Sequence, residues 1–128
     1  MWLNCSRTRV KPENVDQLVE VLAGEASLRP IQAAQGFCGL YLVESTEIPG
    51  EVISISIWQS AEDGQAYLAS PACQRVVASI QEYLGMPLER QYYEVLLAVE
   101  TQKERLSGNR EKSTGVKPDT NQVRQAKR

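Results

Sequence analysis

The sequence predicts one α+β domain with its elements in the order β-α-β-β-α-β, followed by a tail of different composition. Four stretches show the alternating or continuous apolar pattern of strands, and two show the 3.6-residue apolar spacing of helices. The helical stretches follow the first and third strands. At 128 residues the chain has room for a single hydrophobic core.

The first strand is predicted at residues 2–10, where side chains alternate between two faces. Pro12 suits the first turn of the helix that follows. We expect Gly24 to weaken this helix late and Pro30 to bar its continuation. The buried stripe of the helix recurs at i, i+3, i+4, i+7 and i+11: Val15, Leu18, Val19, Leu22 and Ala26.

The second and third strands are predicted to form a hairpin. Residues 36–45 are apolar on both faces, whereas residues 52–58 alternate, with three isoleucines on one face and two serines on the other. The intervening Ile-Pro-Gly at residues 48–50 has the chemistry of a turn. A connection this short requires the two strands to be antiparallel neighbours.

The second helical region contains two helix starts. Ser60 has a carboxylate three residues on, at Asp63, as in a capping box. Ser70 precedes a proline that suits a first helical position, and Gly85 suits the end of that helix. Residues 90–99 form the predicted fourth strand. This order of elements is the ferredoxin-like arrangement.

The tail, residues 101–128, is predicted to be disordered and basic, and residues 1–100 form the domain. Residues 1–99 hold six basic and twelve acidic side chains, whereas residues 100–128 hold eight basic and four acidic ones. The tail has too few large aliphatic residues to offset the entropy lost on ordering. An acidic domain argues against nucleic acid as a partner.

The second and fourth predicted strands are apolar on both faces, at residues 37–43 and 92–99. Two helices cover one face of a four-stranded sheet, so the other face would leave a large apolar patch in water. Pairing across a two-fold axis is the commonest way to bury such a patch. The sequence therefore predicts a homodimer.

The chain has three cysteines, at positions 5, 38 and 73, and no histidine. Because there is no CxxC pair and no histidine, we expect reduced structural thiols, no metal site and no cofactor. The sequence shows no secretory signal and no apolar run of the ~18 residues that cross a membrane. We therefore expect a cytoplasmic protein without membrane contact.

Part of the domain carries a motif. The segment at residues 36–40 is glycine-rich, and a Trp-x3-Glu…Tyr-x2-Ser pattern follows it: Trp58, Glu62, Tyr67 and Ser70. In these features residues 36–99 resemble the antibiotic-biosynthesis-monooxygenase family, whose members are dimeric α+β barrels. The resemblance implies the fold more specifically than an activity, because similar domains degrade haem, form quinones or have no known reaction.

The haem-degrading branch of this family implies three residues. They are an Asn on the first strand, a Trp on the second helix, and a His ten residues later that binds iron. Ser6, Tyr67 and Val77 occupy the corresponding positions here. Valine cannot ligate iron, so we expect no haem degradation.

The cofactor-free branch implies a substrate that supplies its own electrons to oxygen, as a phenolate or carbanion. The protein then shapes a pocket, stabilises the anion and places a proton-transfer group. Trp58 and Tyr67 match residues that this branch keeps, and Asn4 and Ser6 are candidate hydrogen-bond donors to an oxyanion. The candidate catalytic residues are Trp58, Tyr67, Asn4 and Ser6.

Each candidate also has a purely structural interpretation. The two aromatic residues alternatively pack in the core, and the polar residues of the first strand are alternatively ordinary members of a half-exposed strand. Ser54 and Ser56 are further oxyanion donors, or they meet a partner subunit. Glu94 is a base if it is buried, or it forms an ion pair with Arg7 or Arg90.

The leading hypothesis is a small cofactor-independent monooxygenase acting on an aromatic or quinol-type molecule. One alternative is a ligand-binding domain of the same fold without catalysis. The other is an interaction module in which a dimer presents two tails to a partner protein.

Overall fold

The computed structural model describes residues 1–100, and the predicted tail at residues 101–128 lies outside the described residues. A four-stranded antiparallel sheet has the strand order β2-β3-β1-β4, as the ferredoxin-like prediction requires. The strands are β1 (Trp2–Arg9), β2 (Phe37–Glu44), β3 (Glu51–Trp58) and β4 (Glu89–Glu94). The helices are α1 (Val15–Leu22), α2 (Glu25–Gln32), α3 (Ala61–Leu68) and α4 (Pro71–Ile80).

The two central strands place their even-numbered side chains towards the helices. In β1 the even-numbered residues are buried, and in β3 they are buried or half-buried. The antiparallel register pairs Asn4 with Ser56 and Ser6 with Ser54. Because side chains alternate along a strand, this register gathers four polar side chains on the helix-facing side of the sheet.

Two apolar clusters hold the helices against the sheet. One cluster is built from Val10, Leu18, Val52 and Ile80. The other is built from Trp2, Ile31 and Trp58. Burying a large aliphatic or aromatic side chain contributes about 1.5–3 kcal/mol, so these contacts fix the positions of α1, α2 and α4.

The two predicted helix starts are confirmed. The Ser60 hydroxyl accepts a hydrogen bond from the backbone N–H of Asp63 at 3.1 Å, and α3 begins after it. The Ser70 hydroxyl accepts one from the N–H of Cys73 at 3.2 Å, with Pro71 at the first position of α4. Each cap satisfies a backbone donor that the helix leaves unpaired.

The prediction that Pro30 stops the first helix is wrong. The chain instead breaks at Gly24, whose backbone is extended, and a second helix that contains Pro30 starts at Glu25. The Ser27 hydroxyl donates to the Val21 carbonyl at 3.1 Å and joins the two helices. Burial of Ile31 against the tryptophans stabilises α2 despite the hydrogen bond that proline cannot donate.

The predicted fourth strand is too long. β4 ends at Glu94, and Val95 to Glu100 have no regular secondary structure. β4 stops here because its neighbour β1 begins at Trp2, which pairs with Glu94. One further hydrogen bond joins the Val95 N–H to the Met1 carbonyl. Beyond that point no strand of the described part of the chain lies opposite β4. The second helical region is also shorter than predicted, because α4 gives way to a 3₁₀ turn after Ile80.

The face of the sheet away from the helices is largely apolar and exposed. Tyr41 is 60% exposed, Val43 41% and Tyr93 47%. At one end of this face the Arg7 guanidinium donates to Glu51 at 2.9 Å and to Glu89 at 2.7 Å, which links β1 to both neighbouring strands. Within residues 1–100 no helix is long and apolar enough to span a membrane.

Candidate functional site

A partly open cavity of about 130 Å³ lies between the sheet and the helices. Its walls include Ile80 from the first apolar cluster and Ile31 from the second, so the cavity lies between the two clusters. Its floor is the polar patch that the β1–β3 register creates. The apolar walls include Leu28, Ile31, Leu40, Leu42, Val76, Val77 and Ile80, and the polar floor consists of Asn4, Ser6, Ser54 and Ser56.

The floor brings together two of the predicted site residues, Asn4 and Ser6. Asn4 is 3% exposed, and its Nδ2 donates to the Ser6 hydroxyl at 3.1 Å. Its Oδ1 is buried and has no hydrogen-bond partner among the described residues. If the amide is turned over, an N–H group is unpaired in place of the oxygen. Either way Asn4, which lines the cavity, has an unused and buried hydrogen-bonding group, and leaving such a group buried and unpaired costs about 1–3 kcal/mol.

Trp58, the third predicted residue, lies behind the cavity rather than in its lining. It is completely buried, and its Nε1 donates to the Ser56 hydroxyl at 2.9 Å. Its ring stacks on Tyr67 with centroids 5.5 Å apart and meets the edge of Phe37 at the same distance. Trp58 therefore holds two groups that do line the cavity, the Ser56 hydroxyl and the Tyr67 ring.

Tyr67, the fourth predicted residue, lines the cavity from α3. Burial, and to a lesser degree the neighbouring Cys73 sulfur, raises the pKa of its hydroxyl above the usual value. The phenol is therefore protonated at neutral pH and is a hydrogen-bond donor. It makes no hydrogen bond within the part of the chain that the structure describes, so its proton is available to a ligand.

Two residues of the site were missed by the sequence analysis. Cys73 lies on α4 and Arg90 on β4 opposite Ser6, and the Arg90 Nη2 lies 3.9 Å from the Cys73 sulfur. Burial raises the pKa of the Cys73 thiol, and Arg90 offsets only part of that rise, so the thiol is neutral at ordinary pH. The alternation of β4 does place Arg90 on the helix side, but Glu94, four residues further along, suggested an ion pair instead.

Glu94 itself is exposed at the end of β4, opposite Trp2, and does not line the cavity. Its predicted pairing with an arginine is wrong, because Arg7 bonds Glu51 and Glu89 while Arg90 faces Cys73. The alternative that the Ser54 and Ser56 face meets a partner subunit is also wrong. That face is covered by the chain's own helices.

The candidate site shows no metal-ligand cluster. Among residues 1–100, no group of three or more cysteine, aspartate or glutamate side chains is placed to hold a metal ion. The three cysteines are free thiols, of which Cys73 is buried, Cys5 is half-buried and Cys38 is exposed. Val77 lies in the cavity wall, at the position where the haem-degrading relatives were expected to carry histidine.

The chain is similar to known proteins in both sequence and fold. A family profile described as antibiotic biosynthesis monooxygenase matches residues 5–79, which is more than half of the chain. No curated protein matches significantly.

Solved structures share the fold at low sequence identity. A conserved protein from Methanosarcina mazei is 15% identical with a TM-score of 0.63, over 73% of this chain and 90% of its own. A protein from Mycobacterium tuberculosis is 21% identical with a TM-score of 0.62, over 77% and 98%. A mutant of SnoaB, a cofactor-independent oxygenase from Streptomyces nogalater, is 15% identical with a TM-score of 0.63, over 78% and 97%.

Proposed function

Because this chain belongs to the antibiotic biosynthesis monooxygenase family, we propose that it is a small cofactor-independent monooxygenase that oxidises an aromatic or quinol-type molecule. The cavity between the sheet and the helices is the proposed active site. Three unpaired thiols suit the reducing cytoplasm, where we place the activity.

The observation that carries the proposal is the unpaired amide of Asn4 on the floor of an otherwise largely apolar cavity. Apolar walls accept an aromatic ring, and a few convergent polar groups fix its orientation. A buried group without a partner is costly in the empty protein. A small rotation of the Asn4 amide into the cavity would let a ligand hydroxyl or carbonyl bond it and remove that cost, which favours a ligand carrying oxygen on its ring.

Each site residue has a proposed role. The Tyr67 hydroxyl, protonated and unpaired, donates a hydrogen bond to an oxygen of the reacting ring. The amide of Asn4 and the hydroxyl of Ser6 bond the substrate or the peroxide that forms from it. Trp58 positions Ser56 and Tyr67 from behind and does not touch the substrate.

The proposed step needs no electron donor other than the substrate. Loss of the phenolic proton leaves an electron-rich ring carbon, which forms a bond to one atom of dioxygen. The resulting peroxide anion takes up a proton to become a hydroperoxide. Its O–O bond then breaks as the hydrogen on that carbon leaves as a proton, which joins the departing hydroxide to give water. One oxygen atom remains as a new carbonyl and the other becomes water, so the ring is oxidised to a quinone.

The exposed side of the sheet is proposed to pair with a second copy of the chain. Three isoleucines of β3 lie on this side next to the exposed Tyr41 of β2, and the exposed Tyr93 of β4 lies on the same side beyond β1. Such a patch is larger than most monomers expose, and we expect the pairing to bury at least ~1,000 Å² in total. The cavity lies on the opposite side of each sheet, so pairing leaves it accessible.

Oxygen uptake tests the proposed activity. The purified full chain is mixed with a panel of hydroquinones, phenols and anthrones in an oxygen electrode, and the product is analysed after reaction under ¹⁸O₂. The proposal requires one dioxygen consumed per product and one labelled oxygen in the product. If no member of the panel is consumed faster than in buffer, the non-catalytic ligand-binding alternative replaces this proposal.

A pair of tyrosine variants locates the reaction. Tyr67→Phe removes one hydroxyl from the cavity and should lower turnover by about a hundredfold, as loss of a positioned proton donor does. Tyr92→Phe removes a hydroxyl from a ring that stacks on Trp2 outside the cavity, and should leave turnover unchanged. Equal effects of the two substitutions would place the reaction elsewhere.

A further inference from the structure

We propose that Arg90 makes the cavity selective for a single-ring aromatic anion, which binds as its phenolate. This inference deepens the proposed function and rests on it for the choice of a phenol as ligand. Its test measures binding alone, so it can fail or succeed independently of oxygen chemistry.

The first argument is the charge of the cavity. Arg90 is the single charged residue in the lining, since Tyr67 and Cys73 are neutral at ordinary pH and no carboxylate lines the described cavity. The ion pairs between described residues involve Arg7 and Arg29 and leave Arg90 out. A guanidinium without a carboxylate partner in a half-enclosed apolar site attracts an anion more strongly than it would in water.

The second argument is the donor geometry. Arg90 has several N–H donors, and among residues 1–100 its Nη2 has only the Cys73 sulfur, at 3.9 Å, as a partner. Sulfur at that distance is a weak acceptor, so a ligand oxygen gains a charge-assisted hydrogen bond at little cost to the protein. Because Arg90 pairs across the strands with Ser6, an anionic oxygen bound there also lies near the polar floor.

The third argument is size. A cavity of about 150 Å³ lined by apolar side chains holds one benzene ring, and this cavity measures about 130 Å³. It matches a single ring whose oxygen lies at Arg90. A fused three-ring anthrone would extend out of the opening, so we expect single-ring phenols to be the better substrates.

The test uses 4-nitrophenol, whose phenolate absorbs visible light and forms near neutral pH. Binding to the full chain should stabilise the phenolate and increase its absorbance at a fixed pH, whereas the uncharged 4-nitroanisole should bind more weakly. Arg90→Gln should weaken phenolate binding about ten- to a hundredfold, the range for loss of a charge-assisted hydrogen bond. It should leave the affinity for 4-nitroanisole unchanged.

Two variants control for charge and folding. Arg75→Gln removes the same charge from an exposed position of α4 and should leave phenolate binding intact. Arg90→Lys keeps the charge and should retain most of the preference for the phenolate. If Arg90→Gln does not fold, as judged by circular dichroism, the lysine variant and the comparison of the two probes on the unmodified chain still decide the question.

Three results would overturn the inference. They are no saturable binding of 4-nitrophenol, equal affinity of the unmodified chain for both probes, and an Arg90→Gln variant that binds the phenolate as tightly as the unmodified chain. Phenolate selectivity without any oxygen uptake would support the assignment of Arg90 while removing the proposed oxygenase activity.

Discussion

The indole Nε1 of Trp58 donates a hydrogen bond to the Ser56 hydroxyl at 2.9 Å. The two residues lie two positions apart on the helix-facing side of β3, one in the core and the other in the cavity floor. The most deeply buried side chain of the domain thus orients a hydroxyl that a ligand can reach. Core packing and the shape of the site are coupled at this bond.

Trp58→Phe should lower the free energy of unfolding by about 1–3 kcal/mol, because it removes part of a packed ring and one hydrogen bond. Urea unfolding followed by circular dichroism measures the loss. Ser56→Ala and the double variant complete a cycle, in which the coupling between the two residues should be about 0.5–1.5 kcal/mol. Fully additive effects would show that the bond contributes nothing.

Gly64→Ala should destabilise the protein by about 1–3 kcal/mol, even though alanine is the better helix former by about 1 kcal/mol. A β-carbon at this position in α3 would overlap the Trp2 ring and lie 3.0 Å from Trp58. Gly39→Ala is the matched control, because its β-carbon would make only an ordinary contact at 4.0 Å. Equal melting temperatures for the two variants would contradict the close packing of α3.

Tyr41→Glu should convert the proposed homodimer to a monomer at micromolar concentration, because it places a charge on the apolar sheet face, next to the isoleucines of β3. Light scattering should give twice the 14.3 kDa chain mass for the unmodified protein and the single mass for the variant. Ile48→Glu, an exposed apolar residue in the β2–β3 turn, should leave the dimer intact. A monomeric unmodified chain would sink the dimer proposal.

Stability should fall as the pH rises through 9.0 and then 10.0. Burial raises the pKa of the Cys5 and Cys73 thiols above 9.0 and that of the Tyr67 phenol above 10.0. The folded chain then holds protons that the unfolded chain releases, so the contribution is complete below pH 9.0 and is lost above it. Urea titrations at increasing pH measure the decline, which should be smaller in a Cys5→Ala/Cys73→Ala variant.

The division of β1 and β3 into two faces was predictable from the sequence, because alternation along a strand depends on local spacing alone, but which of the two faces meets the helices was not. Both N-caps were predictable for the same reason, since Ser60 and Ser70 act on backbone groups three residues away. The error at Pro30 has a tertiary cause. The tryptophan cluster stabilises α2 by packing that no local rule contains.

The candidate site was only partly predictable. Asn4, Ser6 and Tyr67 stood out as polar or aromatic residues on predicted elements, and the structure places all three in one cavity. Arg90 did not stand out, because its environment depends on Cys73, which is 17 residues away. Likewise the extent of β4 depends on where β1 ends, a fact that the β4 sequence does not contain.

The strand order has a consequence for biosynthesis. β1 is made first but lies in the interior of the sheet, where Trp2 pairs with Trp58 on one side and with Glu94 on the other. Long sequence separations of this kind slow folding, because the chain must close large loops before it gains the contacts. The ribosome must release residue 94 before β1 has both neighbours. Until then the nascent chain exposes an open strand edge on β1.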